Sequence, residues 1–245
     1  MAKFCTKCGK KLEEGKSCDC EKKVGVTVEK QEKKVVSRTD SFDIQTCFNS
    51  YLEILKNIFT KPVDIIKKFA VEENFILGFI AILVNSLISG VFVYCFVKEA
   101  FGTYTSGMGM YGLALGMGIE IPFLRVVIYG TIFMVASFLM IALMLYVLAG
   151  SMFKDDMNFK RAVALVGTCS VLTAVTTLGC VIFTFISIEL VIYTLLIAGI
   201  LYFIHLYHGL VEITTFDRNK LAYVFTGSIA VTLFVVFYIL PKILL

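Results

Sequence analysis

Charge is what this sequence has least of. Asp, Glu, Lys and Arg make up 17% of it, and 58% of its residues are hydrophobic. Soluble domains carry about 25% charged and about 45–50% apolar residues, so an ordinary water-soluble fold is excluded. Proline is scarce as well. The three that occur, Pro62, Pro122 and Pro241, all lie outside the long apolar runs, where an interior proline would remove a helical hydrogen bond. No apolar run follows closely on the N-terminus, since the first begins near Phe75. A cleavable signal peptide needs such a run behind a basic start, so the N-terminal part is expected to stay on the side where it is made. A Ser/His/Asp set, paired intramembrane carboxylates and a phosphate loop are also missing, which leaves nothing to support catalysis. The net charge of +4 is modest and spread out, and gives little reason to propose a nucleic-acid partner.

The few charges are unevenly placed. Residues 1–74 hold 15 of the 23 basic and 12 of the 19 acidic residues, so the chain reads as a polar head on a hydrophobic body. Within the body five apolar runs reach the roughly 20 residues a helix needs to cross a bilayer: Phe75–Val97, Val126–Ala149, Ala162–Ile186, Leu190–Val211 and Leu221–Leu240. Lipid offers no partner to a free backbone group, so these must be closed helices. The third and fourth are separated only by Ser187–Glu189, which implies a tight hairpin. The expected fold class is an all-α integral membrane protein, a five-helix bundle spanning residues 75–240 with a small N-terminal head.

Short loops fix the expected orientation through their lysines and arginines. With the N-terminus inside, the inner flanks carry Lys56, Lys61, Lys67, Lys68, Lys154, Lys160, Arg161, Arg218 and Lys220. The outer side carries Lys98, Arg125 and Lys242. A multi-pass protein of the cell membrane follows, with its N-terminus cytoplasmic and its C-terminus outside.

Residues 1–20 contain four cysteines. Cys5 and Cys8 form a C-x-x-C followed by Gly9, and Cys18 and Cys20 make a second pair. Four thiolates suit the tetrahedron of a structural Zn2+, and Lys7, Lys10, Lys11 and Lys16 favour the deprotonated thiols. Two disulfides or a redox pair are the alternatives, which a cytoplasmic head disfavours. The C-x-C half is tighter than the usual C-x-x-C. Residues 21–41, rich in Lys, Glu and Val and lacking aromatics, read as a flexible charged tether.

In residues 42–73 the periodicity becomes helical. Ile44, Phe48, Leu52, Leu55 and Phe59 recur at spacings of three or four, Pro62 breaks the run, and Val63, Ile66 and Phe69 resume it. Two amphipathic juxtamembrane helices are expected. They either lie in the inner headgroup layer or pack beneath the bundle as ordinary core.

Other features carry weaker chemistry. His205, His208 and Glu212 stand at i, i+3 and i+7 on one helix face, a polar intramembrane site in outline. Three ligands on one helix rarely suffice for a metal, and the trio lies near the inner end of its span. The run GMGMYG, Gly107–Gly112, matches G-x-G-x-x-G literally but sits in a glycine-rich outer loop, without the βαβ context that gives the motif meaning. Ser86 with Gly90, and Ser170 with Ala174, are small-xxx-small pairs suited to close helix approach. Cys47, Cys95, Cys169 and Cys180 read as small apolar fillers.

Three stretches carry a family likeness. NIFTKPVDIIKKF (Asn57–Phe69), LAGSMFKDDMNFKRAVALVGTCSV (Leu148–Val171) and YHGLVEITTFDRNKLAYVF (Tyr207–Phe225) resemble the pre-membrane segment, the inner loop and the loop before the last span of the YIP family, the Ypt/Rab-interacting-protein-like membrane proteins. The likeness extends over roughly residues 50–240. The cysteine head is similar to the short zinc-ribbon found at the front of many prokaryotic membrane proteins. For eukaryotic members the resemblance implies vesicle trafficking through small-GTPase binding and membrane shaping. For bacterial members it implies membrane location.

Together these features predict a non-enzymatic membrane protein in contact with the lipid bilayer. Its zinc-ribbon recruits or senses a cytoplasmic protein partner, in membrane organisation, trafficking-like or envelope-stress roles. The alternative is a small transporter or channel-like protein using the five-span bundle. A homo-oligomer is compatible with either reading.

Overall fold

The structure is a computed structural model that describes residues 3–4, 11–12, 44–107, 122–153 and 157–239. The chain divides into two units, Met1–Phe42 and Asp43–Leu245. In the first, β1 (Lys3–Phe4) and β2 (Lys11–Leu12) pair antiparallel, Lys3 opposite Leu12 and Phe4 opposite Lys11. The four head cysteines and the expected tether at 21–41 lie outside the described residues.

The second unit is helical throughout its described length. It opens with α1 (Ile44–Asn57) and α2 (Pro62–Phe69). Pro62 takes the first turn of α2, where a missing donor costs nothing, and Asp64 and Lys67–Lys68 complement the helix dipole at either end. A 3-10 turn at Glu72–Asn74 leads into α3 (Phe75–Gly107). The remaining helices are α4 (Phe123–Leu145), α5 (Phe159–Thr184), α6 (Ile188–Ile213) and α7 (Arg218–Phe234). π-helical turns extend α4 through Tyr146–Met152 and α7 through Val235–Ile239.

Four of these stretches are long and apolar enough to cross a membrane: Glu72–Ala100, Phe123–Gly150, Phe159–Thr184 and Ile188–Ile213. The fifth expected run forms α7, an α-helix of 17 residues, shorter than the other four. The first helix outruns its expected end at Val97 and continues to Gly107, because no proline or cap interrupts the sequence after the apolar run. The hairpin falls close to its expected place. α5 ends at Thr184 and α6 restarts at Ile188, with the Ser187 hydroxyl accepting from the Glu189 amide at 3.2 Å. Asn158 and Asp217 cap α5 and α7 in the same manner, each an extended residue supplying an oxygen to an unpaired amide.

α5 is the centre of the bundle. Every residue from Ala162 to Leu172 is buried, as expected of a helix with no polar face. α3 packs against both α5 and α4, α6 lies on α5, and α7 lies on α4. Glycine sets how close the central pair comes. A Cβ on Gly167 would stand 2.1 Å from the Gly78 carbonyl oxygen, and one on Gly78 would stand 2.6 Å from the Ala164 Cα. Gly90 meets α4 in the same way, with Val127 O at 2.6 Å from its absent Cβ. Ser86, Ser170 and Ala174 are all buried, so the small residues noted in the sequence do line packed faces.

α1 and α2 divide the two placements expected for them. Ile65, Ile66 and Phe69 of α2, with Ile54 and Ile58, belong to the same buried cluster as Leu77, Leu165 and Leu210. α2 is therefore core beneath the bundle. α1 places Ile54 in that core but leaves Ile44 and Phe48 exposed.

Candidate functional site

The helix ends that meet α1 and α2 form a charged platform. Ile66 is fully buried there, its Cγ2 seated in the hollow left by Gly209, where an added Cβ would meet it at 2.8 Å and Leu165 Cδ1 at 2.5 Å. Beside this seat Lys67 Nζ donates to Glu212 at 2.8 Å, tying α2 to the end of α6. The Glu212 carboxylate raises the Lys67 ammonium above its ordinary pKa, through the hydrogen bond first and its charge second. Lys68 pairs with Glu53 and ties α2 to α1. The Asn158 amide donates to Glu72, joining the start of α5 to the start of α3. Around these pairs stand Lys56, Lys61, Lys160, Arg161, Arg218 and Lys220. The opposite end carries Lys98 and Arg125 as its bases among the described residues.

Glu212 is therefore engaged by Lys67 instead of standing free beside the histidines. His205 is half-buried, its Nδ1 lying 2.6 Å from the Leu201 carbonyl of its own helix, and His208 is exposed with its ring edge-on to Tyr207. Among the described residues no group of three His, Cys, Asp or Glu side chains is arranged to hold a metal. Cys47, Cys95, Cys169 and Cys180 are all free thiols, the last two buried.

Inside the bundle lies a second polar feature, one the sequence reading passed over. Asn85 is completely buried in α3, and its Nδ2 donates to Thr173 Oγ1 on α5 at 2.8 Å. Its Oδ1 finds no partner among the described residues, nor does the neighbouring Ser86 hydroxyl. Most other buried hydroxyls have solved this problem locally. Thr168, Ser170, Thr184, Ser228 and Thr232 each donate to a carbonyl three or four residues back on their own helix, which needs no neighbour. An amide cannot be satisfied so simply. The available signal was a lone Asn inside an apolar run, since polar residues inside membrane spans are functional candidates by default.

Asn85 sets a sharp expectation for stability. Hydrogen bonds between membrane helices average about 0.6 kcal/mol, whereas a buried polar atom without a partner costs about 1–3 kcal/mol. Asn85→Leu should therefore raise the unfolding free energy by about 1 kcal/mol, read by reversible denaturation in mixed micelles. A loss of similar size would show that Oδ1 is satisfied in the folded protein.

The comparison with protein families bears on the whole of this bundle. The Yip1 domain matches residues 56–240, three-quarters of the chain, from the last turn of α1 to the end of α7. The chain belongs to the Yip1 domain family. No curated protein and no solved structure matches it. Its Yip1 domain thus contains most of the platform, the Gly78–Gly167 crossing and Asn85, while the cysteine head and most of α1, with Glu53, precede it. The several apolar helices of that domain make it a multi-pass membrane protein in contact with the bilayer.

Proposed function

We propose that this Yip1 protein is non-enzymatic and holds a small zinc-folded docking module at the cytoplasmic face of a membrane, where the module recruits or senses a protein partner. A role in membrane organisation of the trafficking type agrees with the family. The observation that carries the docking module is the ligand spacing of Cys5, Cys8, Cys18 and Cys20. It is supported by the pairing of β1 with β2 on either side of residues 5–10, which brings together the ends of the segment carrying Cys5 and Cys8. The four thiolates would hold Zn2+ with no open position, so the ion would contribute folding energy and not chemistry.

Orientation rests on the platform. Its excess of lysine and arginine over the opposite end supports a cytoplasmic α1–α2 side. α7 and its π-helical extension to Ile239 are the proposed fifth crossing, which carries the C-terminus outside.

The test is crosslinked co-purification from native membranes, comparing wild type with the Cys5→Ser, Cys8→Ser double variant and measuring zinc in both. Zinc and one set of partners are expected to disappear together while membrane insertion is unchanged. Identical partner lists with the zinc gone would refute the docking role.

A further inference from the structure

α1 carries more apolar surface than the protein covers. On its helical wheel the apolar arc runs from Ile54 and Ile58 through Tyr51, Ile44, Leu55 and Phe48 to Leu52. Ile54 and Ile58 are buried in the bundle core. Other positions on the arc are open, with Ile44 72%, Phe48 60% and the following Phe59 53% exposed. These values match the outward residues of the spans, such as Leu124 at 67% and Ile182 at 63%, whose solvent is lipid. The polar arc, Asn49, Glu53 and Lys56, lies opposite.

From this placement we infer that α1 is an interfacial helix, lying in the headgroup layer of the same membrane its bundle crosses, with Ile44, Phe48 and Phe59 among the acyl chains. Three observations select lipid as the occupant. α1 packs against α3 and α5, and its buried residues share a cluster with Leu77 near the start of α3, so it sits at the depth where a crossing begins. The helix α3 on which it packs carries its own exposed apolar residues, Ile76, Leu83 and Leu87. Lys56 in the last turn of α1 and Lys61 just after it are both exposed and available to headgroup phosphates. A helix in this position buries its apolar face about 5–10 Å below the headgroups. The inference goes beyond the docking role, since α1 lies almost wholly outside the Yip1 match.

The protein contains no tryptophan, so a single one reports its own surroundings. The full chain carrying Phe48→Trp, and separately Ile44→Trp, is reconstituted in phosphatidylcholine vesicles with bromine on the acyl chains. Matched vesicles without bromine receive iodide on both faces. Both variants should lose most of their emission to the brominated lipid and little to iodide, and Asn49→Trp on the polar arc should show the reverse. Emission from positions 44 and 48 that is quenched by iodide and indifferent to bromine would place these positions in water and overturn the inference. Indifference to both quenchers would overturn it as well, because protein would then cover them. Deletion of residues 1–41 and dilution of the protein in the vesicles would tell the head from a second copy. All three substituted positions are exposed, so elution like wild type is expected for each variant.

Discussion

Gly167→Ala is expected to be the most damaging single-methyl change in this protein. The added Cβ would stand 2.1 Å from the Gly78 carbonyl oxygen and 2.5 Å from its Cα. Ordinary overpacking costs about 1–3 kcal/mol because side chains rotate aside. Here the obstacles are backbone atoms of a facing helix, so the helices themselves must separate, and a loss above roughly 3 kcal/mol is expected. Alanine at Gly179 or Gly199 meets nothing within 4 Å and should be neutral, or better by up to about 1 kcal/mol from helix propensity. The check is unfolding of these three variants in one detergent. Equal behaviour of Gly167→Ala and Gly199→Ala would mean that α3 and α5 do not cross at this point. Gly78→Ala should resemble Gly167→Ala, and the double variant should cost less than the sum, because a separation forced by one methyl makes room for the other.

That crossing also marks where the sequence stops being informative. Helices α3 to α6 are legible in it, because an apolar run of this length can be little else in lipid and because no proline interrupts it. So are the break at Pro62 and the hairpin near Ser187. The faces of those helices are not legible. When nearly every side chain is apolar, periodicity cannot tell the face that packs on a neighbour from the face that meets lipid. Gly78 and Gly167 look no different in sequence from Gly179 and Gly199, yet the first two lie in backbone contact and the last two are open. Pairing at a distance is hidden for the same reason. Lys67 and Glu212 are 145 residues apart, and Asn85 meets Thr173 from another helix. Reading His205, His208 and Glu212 as one group followed from helical spacing alone, and α2, arriving from far earlier in the chain, takes the glutamate. α1 and α2 were recognisable as amphipathic, but which of two apolar solvents each would meet depended on the floor of the bundle, which only the fold supplies.

The seat of α2 leads to the second large expectation, because α2 links α1 to the bundle along the chain. Among the interactions that hold α2 to α6, two differ in kind: the Ile66 side chain in the hollow at Gly209, and the Lys67–Glu212 pair. Their magnitudes decide which one matters. The pair is exposed and shared with water, and exposed pairs contribute little. Ile66 is fully buried between Leu165 and Gly209, and emptying such a site costs about 2–5 kcal/mol. Ile66→Ala should therefore release α2 while the bundle stays folded, and trypsin should cut after Lys68 much faster than in wild type. Lys67→Ala should leave that site protected, and Ile66→Val, which loses one methyl at about 0.5–1.5 kcal/mol, should fall between. If Lys67→Ala opened α2 as readily as Ile66→Ala, the ion pair and not the packing would be the fastening. α2 would then be held by an interaction that salt can screen. With packing as the fastening, the seating of α2 is insensitive to salt.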